Sequence, residues 1–446
     1  MFKVSEIIKI LNPEIVKISK KVNNILEKEI EKISIDTRKD VKNSLFIPLK
    51  GEKFDGHDFI DKALEGGAIL TLTEKELNDN LPYIQVKDNL ISFGKIAKTY
   101  IEKNRIKTIA ITGTSGKTTL KEMLGYLTNF KIPEKSFNNL IGVPLTILEK
   151  GESDNYLILE FGTNRKGEIQ KLTEIANPEY VIITNIGYAH TEGFSDINDY
   201  VKEKISILKS KNLKKAIVNW DNEFIKTSLK DFSPEKLIKF NSSQIINFSQ
   251  NLEGSRYKIL INGKIFIVES KLFGFHNAKN FLISLLLLNE LGFNIEEAIE
   301  KFKYFTPVEM RFEIKKSDKG YFVINDCYNA NFESFKASIE TLTKLPKLGR
   351  KIVVAGDMLE LGKYSEEIHR NLAEILKKSD SDVIIFVGNE IRYTYNSMNN
   401  NSKKKFYFND KSLVIRFLKS FLTKDDIVLF KASRRLNFEK IIEEIF

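Results

Sequence analysis

The chain is poor in cysteine: Cys327 is the single one among 446 residues. A lone cysteine excludes an intrachain disulfide and fits a reducing cytoplasm. Long apolar runs are missing too. The strongest, Phe281 to Leu288, falls far short of the ~20 residues that span a bilayer and is interrupted by Ser284. The opening MFKVSEIIKIL spreads its charges and has no uninterrupted apolar core, so it does not read as a signal peptide. These absences point to a cytoplasmic protein without stable membrane insertion. Internal repeats and low-complexity linkers are also lacking.

What is present is an ordinary globular balance, 42% hydrophobic and 29% charged, which argues against a wholly disordered chain. At roughly 150 residues per domain the length suggests about three domains. Lysine and arginine number 70 against 60 acids, a net charge of +10. Two readings stand: a basic patch for nucleic acid, or a compositional lysine excess. The basic residues are dispersed, without arginines interleaved with aromatics, which favours the second and no nucleic-acid partner. The run Lys403-Lys404-Lys405 reads as a solvated loop.

The expected fold class is α/β in three domains. Residues 1–104 mix helical and strand patterns. The polar stretch Glu102 to Arg105 sets a first boundary, and Thr306-Pro307 a second. Between them, in residues 105–308, short β-branched or apolar runs (Thr108–Thr112, Tyr156–Phe161, Tyr180–Thr184, Ala216–Asn219) alternate with helical stretches, the pattern of a mostly parallel sheet. Asn262-Gly263 between two apolar runs signals a hairpin. Asn277 to Leu291 reads as a buried helix. Residues 309–446 repeat the alternation at Tyr321–Asn325, Lys351–Ala355, Asp382–Val387 and Asp426–Phe430, a Rossmann-like α/β domain with its own sheet. Two α/β domains facing each other make a cleft.

The run Ile109-Ala110-Ile111-Thr112 leads into Gly113-Thr114-Ser115-Gly116-Lys117-Thr118-Thr119 and then a helical stretch. Strand, glycine-rich loop, Lys-Thr and helix is the arrangement that cradles nucleotide phosphates with backbone N–H groups and a helix N-terminus. Lys117 would neutralise the β- and γ-phosphates, and Thr118 would offer its hydroxyl to Mg²⁺. The loop is shorter than the full Walker pattern, because Ile111 stands where that pattern has its first glycine. A helix-capping glycine turn is the plainer alternative.

This shortened loop resembles that of the Mur ligases, the amide-forming family of peptidoglycan precursor synthesis. Further stretches agree in order and spacing: Asn138-Asn139-Leu140-Ile141-Gly142, Glu160-Phe161-Gly162-Thr163-Asn164, Thr184 to His190, Gly274 to Asn280, and Arg311. Asp326 to Asn331, Gly356 to Gly362 and Lys431-Ala432-Ser433-Arg434 continue the match. Tyr328-Asn329-Ala330-Asn331 is most similar to the dipeptide-adding branch of the family. The resemblance covers essentially the whole chain. It implies a P-loop-type central domain, an N-terminal UDP-binding domain, and a monomeric ligase. That ligase would join D-alanyl-D-alanine to UDP-N-acetylmuramoyl-tripeptide at the expense of ATP.

The same resemblance implies roles for particular residues. Thr118, Glu160, His190 and a carbamylated Lys204 would hold Mg²⁺, with two ions expected. Gly113 to Thr119, Asn138, His276, Asn277, Asn280, Asp326 and Asn329 would surround ATP. Lys117, Lys204, His190 and Arg311 would carry the catalysis, Arg311 reaching the phosphates from beyond the hinge. Asp36, Thr37, Arg38, Lys53, Phe54, Asp55 and His57 would contact UDP. Asn164, Tyr328, Asn331, Lys431 and Ser433 would bind the peptide substrates. Plainer roles exist for several: a strand-end surface charge for Glu160, an N-cap for Asn277, a strand-end turn for residues 326–331. Cys327 reads as a small packed residue. The alternatives are another Mur-type amide ligase, folylpolyglutamate synthetase, which leaves the N-terminal domain unexplained, or a P-loop ATPase acting on nucleic acid.

Overall fold

The computed structural model describes residues 1–51, 54–134, 136–149, 156–398 and 403–446. Near the N terminus, β1 (Ile15–Ile18), β2 (Lys32–Ser34), β3 (Ser44–Phe46), β4 (Leu70–Thr73) and β5 (Tyr83–Val86) form one sheet. Its order is β1-β5-β4-β3-β2, with β1 antiparallel and the rest parallel. Helix α1 (Asn89–Asn104) follows. The Asp88 side chain caps it by accepting from the Ile91 N–H, and Arg105 ends it in the left-handed region.

The central unit contains β6 (Lys107–Thr112), α2 (Lys117–Thr128), α3 (Gly142–Leu148), β7 (Tyr156–Glu160), α4 (Glu168–Ala176), β8 (Tyr180–Ile183), α5 (Ile197–Ile205), β9 (Lys215–Asn219) and β10 (Leu237–Phe240). The strands lie in the order β10-β9-β8-β6-β7, all parallel. β6, β7, β8 and β9 are nearly continuous Ile/Val/Leu/Ala runs, as strands covered on both faces require. An antiparallel sheet of β11 (Ile245–Gln250), β12 (Ser255–Ile261) and β13 (Lys264–Ser270) comes next. Asn262 and Gly263 turn it with φ of 49° and 78°, the positive pair a two-residue hairpin needs. Helix α6 (Phe275–Glu290) is buried along most of its length.

In the C-terminal unit, β14 (Glu313–Lys316), β15 (Phe322–Asn325), α7 (Phe332–Lys344), β16 (Lys351–Gly356), α8 (Ser365–Lys378), β17 (Val383–Val387), β18 (Lys404–Phe408) and β19 (Ile427–Lys431) alternate. The sheet order is β14-β15-β19-β16-β17-β18, with only β14 antiparallel. The lysine run expected as a solvated loop is instead the entry to edge strand β18. Lys403 Nζ donates to the Ser381 carbonyl at 2.9 Å, and Lys405 Nζ to the Met398 carbonyl at 2.6 Å. Their charges satisfy a loop carbonyl and a helix-end carbonyl and blunt the sheet edge.

One hydrophobic core runs through the N-terminal and central units together. Phe93, Ile96 and Ala97 of α1 are fully buried in the same cluster as Leu172, Val181 and Ile183 of the central unit. α1 packs on α3 and α4, so closely that a Cβ on Gly94 would lie 2.9 Å from Ile175 Cδ1. The C-terminal sheet has separate cores on its two faces. The N-terminal and central units thus share one core, whereas the C-terminal sheet is packed by its own. Phe93→Ala should cost about 3–5 kcal/mol. Hydrogen exchange should then show amides of β2–β5 and of β6–β8 losing protection together. Loss confined to the N-terminal sheet would contradict a shared core.

Candidate active site

Strand β6 ends in the phosphate-type loop because its glycines allow a path that other residues resist. Gly113 has φ of 145°, and a Cβ there would sit 2.0 Å from Thr184 Oγ1; Gly116 has φ of 84° at the start of α2. The loop is fixed by the end of β8. The Ser115 N–H donates to Asn185 Oδ1 at 2.8 Å, and Thr184 Oγ1 donates to the Ser115 carbonyl at 2.7 Å. Lys117 Nζ donates to the Gly113 carbonyl at 2.7 Å.

Glu160, at the end of β7, is buried rather than a surface charge. Its carboxylate accepts from Thr118 Oγ1 at 3.0 Å and from Asn138 Nδ2 at 2.9 Å. A hydroxyl and a carboxylate side by side at a phosphate loop are good Mg²⁺ partners. Among the described residues no group of three or more His, Cys, Asp or Glu forms a protein-only cage. His190, in the left-handed region with φ of 53°, lines the same cavity, and its Nδ1 contacts the Glu360 carboxylate from the C-terminal unit.

Three cations gather here. Arg311 Nη2 donates weakly to Thr118 Oγ1 at 3.4 Å, its guanidinium stacks 4.1 Å from the Tyr328 ring, and its Nε is buried without a partner. Desolvation lowers the pKa of Lys117 and of Arg311. Lys204 on α5 is fully buried, 5.2 Å from the Tyr200 ring. Burial, reinforced by Lys117, holds its ammonium well below the ordinary lysine range. The adjacent Glu203 is spent on the helix start, accepting from the Gly167 and Ile169 N–H groups.

The C-terminal unit closes the site. Ser115 Oγ donates to Asn331 Oδ1 at 3.0 Å, and Ser136 Oγ touches Tyr328 Oη. Asn331 also caps α7. Lys431 Nζ donates to Asp326 Oδ2 at 2.7 Å and to the Asn329 carbonyl at 3.3 Å. It is buried, braces the 326–331 loop and also lines the large cavity between the units. Ser433 Oγ likewise accepts from the Leu359 N–H. Cys327 is buried with its thiol pushed up by desolvation, a packed residue as expected.

A cavity of about 670 Å³ lies between the units, walled by the phosphate loop, Glu160, His276, Asn280, Arg311 and Tyr328. Burial lowers His276 to about 4. Asn277 lines the cavity but is not an N-cap, because the helix starts two residues earlier with Gly274 before it. A smaller cavity of about 270 Å³ shares the walls His190, Asn329, Asn331 and Arg434 and adds Leu359, Glu360, Ser433 and Arg435. Neither is lined by Asn164 or by the N-terminal candidates. Arg38 donates to the Asp36 carboxylate from Nε, Nη2 and its backbone N–H, which draws Asp36 down to about 2, while His57 is held between Asp55 and the Glu74 N–H. Thr37 stands between that pair, Phe54 is exposed, and Lys53 lies outside the described residues. Sequence reasoning assigned no role to Asn185, Asn222 or Lys344, which also line the large cavity. For Asn185 a signal existed, its place just past a strand in Thr-Asn-Ile-Gly.

Known families and structures agree with this architecture. Residues 29–114 match the Mur ligase family, catalytic domain; 111–288 the Mur ligase middle domain; and 310–434 the Mur ligase, glutamate ligase domain. The chain is 31% identical to UDP-N-acetylmuramoyl-tripeptide–D-alanyl-D-alanine ligase of Bacillus subtilis, over 93% of both chains. Identity to the ligase of the same name from Haemophilus influenzae is 32%, again over 93% of both. A crystal structure of MurF from Acinetobacter baumannii has a TM-score of 0.90 at 24% identity, covering 100% of this chain and 98% of that one. The MurF ligase of Thermotoga maritima in complex with ADP gives 0.82 at 26% identity, covering 93% and 97%. With all three domains matched in order along a single chain, this protein belongs to the Mur ligase family.

Proposed function

We propose that this chain joins D-alanyl-D-alanine to UDP-N-acetylmuramoyl-tripeptide, using ATP and releasing ADP and phosphate. The observation that carries this reading is one cavity with a phosphate loop on one wall and Arg311, Tyr328 and Asn329 on the other. The near-full-length likeness to ligases of that name supports the choice of substrates.

A carboxylate does not condense with an amine unaided. In the proposed first step a tripeptide carboxylate oxygen attacks the γ-phosphorus of ATP and the bond to the bridging oxygen breaks, releasing ADP. The dipeptide nitrogen then attacks the acyl carbon, the carbon–nitrogen bond forms, phosphate leaves and the amine loses a proton. The loop N–H groups and Lys117 hold the phosphates, and Arg311 reaches them from the opposite wall. Thr118 and Glu160 would hold Mg²⁺, which offsets phosphate charge when bound. The smaller cavity, opening on the shared wall of His190 and Asn331, suits entry of the amine from the far side. Asp36, Arg38 and Asp55 remain the candidates for UDP. The functional unit proposed is a monomer acting in the cytoplasm.

Lys204 fits carbamylation by its surroundings. Burial that lowers a lysine's pKa favours the amine that attacks CO₂; the nitrogen–carbon bond forms, a proton is lost to solvent, and the product is a carboxylate-like group within the field of Lys117 and Glu160. Lys204→Ala should lose most activity and regain part of it with a small carboxylate such as acetate. Unchanged activity would eliminate this role.

Phosphate release from ATP should require both the UDP-muramoyl tripeptide and D-alanyl-D-alanine, with a pentapeptide product by mass. Lys117→Ala should lower turnover at least about a hundredfold, the scale of losing ~3 kcal/mol of transition-state stabilisation, without moving the unfolding midpoint. Turnover stimulated by nucleic acid and indifferent to both substrates would overturn the reading.

A further inference from the structure

The end of the large cavity away from Glu160 is built from both units. From the central unit it has Asn219, Phe240, Phe275 and Ile283; from α7 of the C-terminal unit it has Thr341 and Lys344. The seam there is tight. A Cβ on Gly274 would lie 2.5 Å from Thr341 Oγ1. Gln250 spans the two units, its Nε2 donating to the Thr341 carbonyl at 2.7 Å while its Oε1 accepts from the Gly274 N–H at 2.9 Å. Lys344 Nζ lies 5.4 Å from the Phe248 ring and 5.6 Å from the Phe275 ring, and those rings pack edge to face at 5.5 Å.

With phosphates on the loop of β6, a nucleotide in this cavity points its nucleoside toward that far end. This step rests on the ATP reading above. An aromatic wall, apolar Ile283 and an ammonium are chemistry suited to the flat face of a base. We propose that Lys344 is a nucleoside-binding residue supplied by the C-terminal unit. Gln250 positions it by holding α7 to the central unit. The base is then gripped from both sides of the cleft, as the phosphates are by Lys117 and Arg311.

Calorimetry on the full chain with Mg²⁺ tests this without relying on ligation. ADP and inorganic tripolyphosphate are the probes, because the second has no nucleoside. Lys344→Ala should weaken ADP binding roughly three- to thirtyfold, the range of a cation–aromatic contact, and leave tripolyphosphate within twofold. Lys344→Arg, which keeps the cation, should bind ADP within about threefold of the parent chain. Gln250→Ala should weaken ADP more than tripolyphosphate as well. ADP affinity unchanged in Lys344→Ala, or ADP and tripolyphosphate weakened equally, would overturn the proposal. Failure of the ligase reading would look different: nucleotide binds but no pentapeptide forms.

Discussion

The structure depends on positive charge partly withdrawn from water. Buried Lys204 and half-buried Lys117 and Arg311 gather near one buried carboxylate, Glu160, and desolvation depresses all three. Unpaired charge in a low dielectric is costly, and attraction for a polyanion is correspondingly strong there. A surface cluster of the same residues would be screened within about 8–10 Å by salt. Burial at the seam of two units turns an ordinary set of cations into a phosphate site.

That seam is also where the backbone departs from comfortable geometry. Met310 and Phe312 flank Arg311 with φ of 58° and 57°. Left-handed conformations at non-glycine residues cost about 1–3 kcal/mol each and persist when packing over-determines them. Here the packing is plain: Met310 is buried on one face of the C-terminal sheet and Phe312 on the other. Arg311 is thereby turned toward Thr118. Because the N-terminal and central units share a core, the C-terminal unit is the body that brings Arg311, Tyr328 and Asn331 to the loop. Charge and the strained linker thus meet at one seam.

Much of this was legible in the residues. Continuous Ile/Val runs marked most strands of the two larger sheets to within two residues, because strands covered on both faces cannot be polar; the edge strands β10, β14 and β18 carried no such run. The Gly-Lys-Thr loop was legible because few other arrangements place glycines, lysine and a helix start together. The short N-terminal strands were not, since three or four residues carry too little alternation. Lys403 to Lys405 misled because lysine is read by its charge, whereas here its stem and donors serve a sheet edge. Lys431 shows the same limit: only the fold reveals that Asp326 already occupies it. Gln250 and Lys344 carry no local signal, since their meaning arises when units 91 residues apart in sequence meet at Thr341.

The central claim is that the cations near Glu160 serve transfer of a phosphoryl group to a carboxylate before the amine attacks. Oxygen tracing tests this most directly. UDP-muramoyl tripeptide labelled with ¹⁸O in its terminal carboxylate would be turned over with ATP and D-alanyl-D-alanine, and the released phosphate weighed. One ¹⁸O per phosphate is the result this account predicts, because the acyl oxygen departs with phosphorus. Unlabelled phosphate from a reaction that still forms the amide would contradict it.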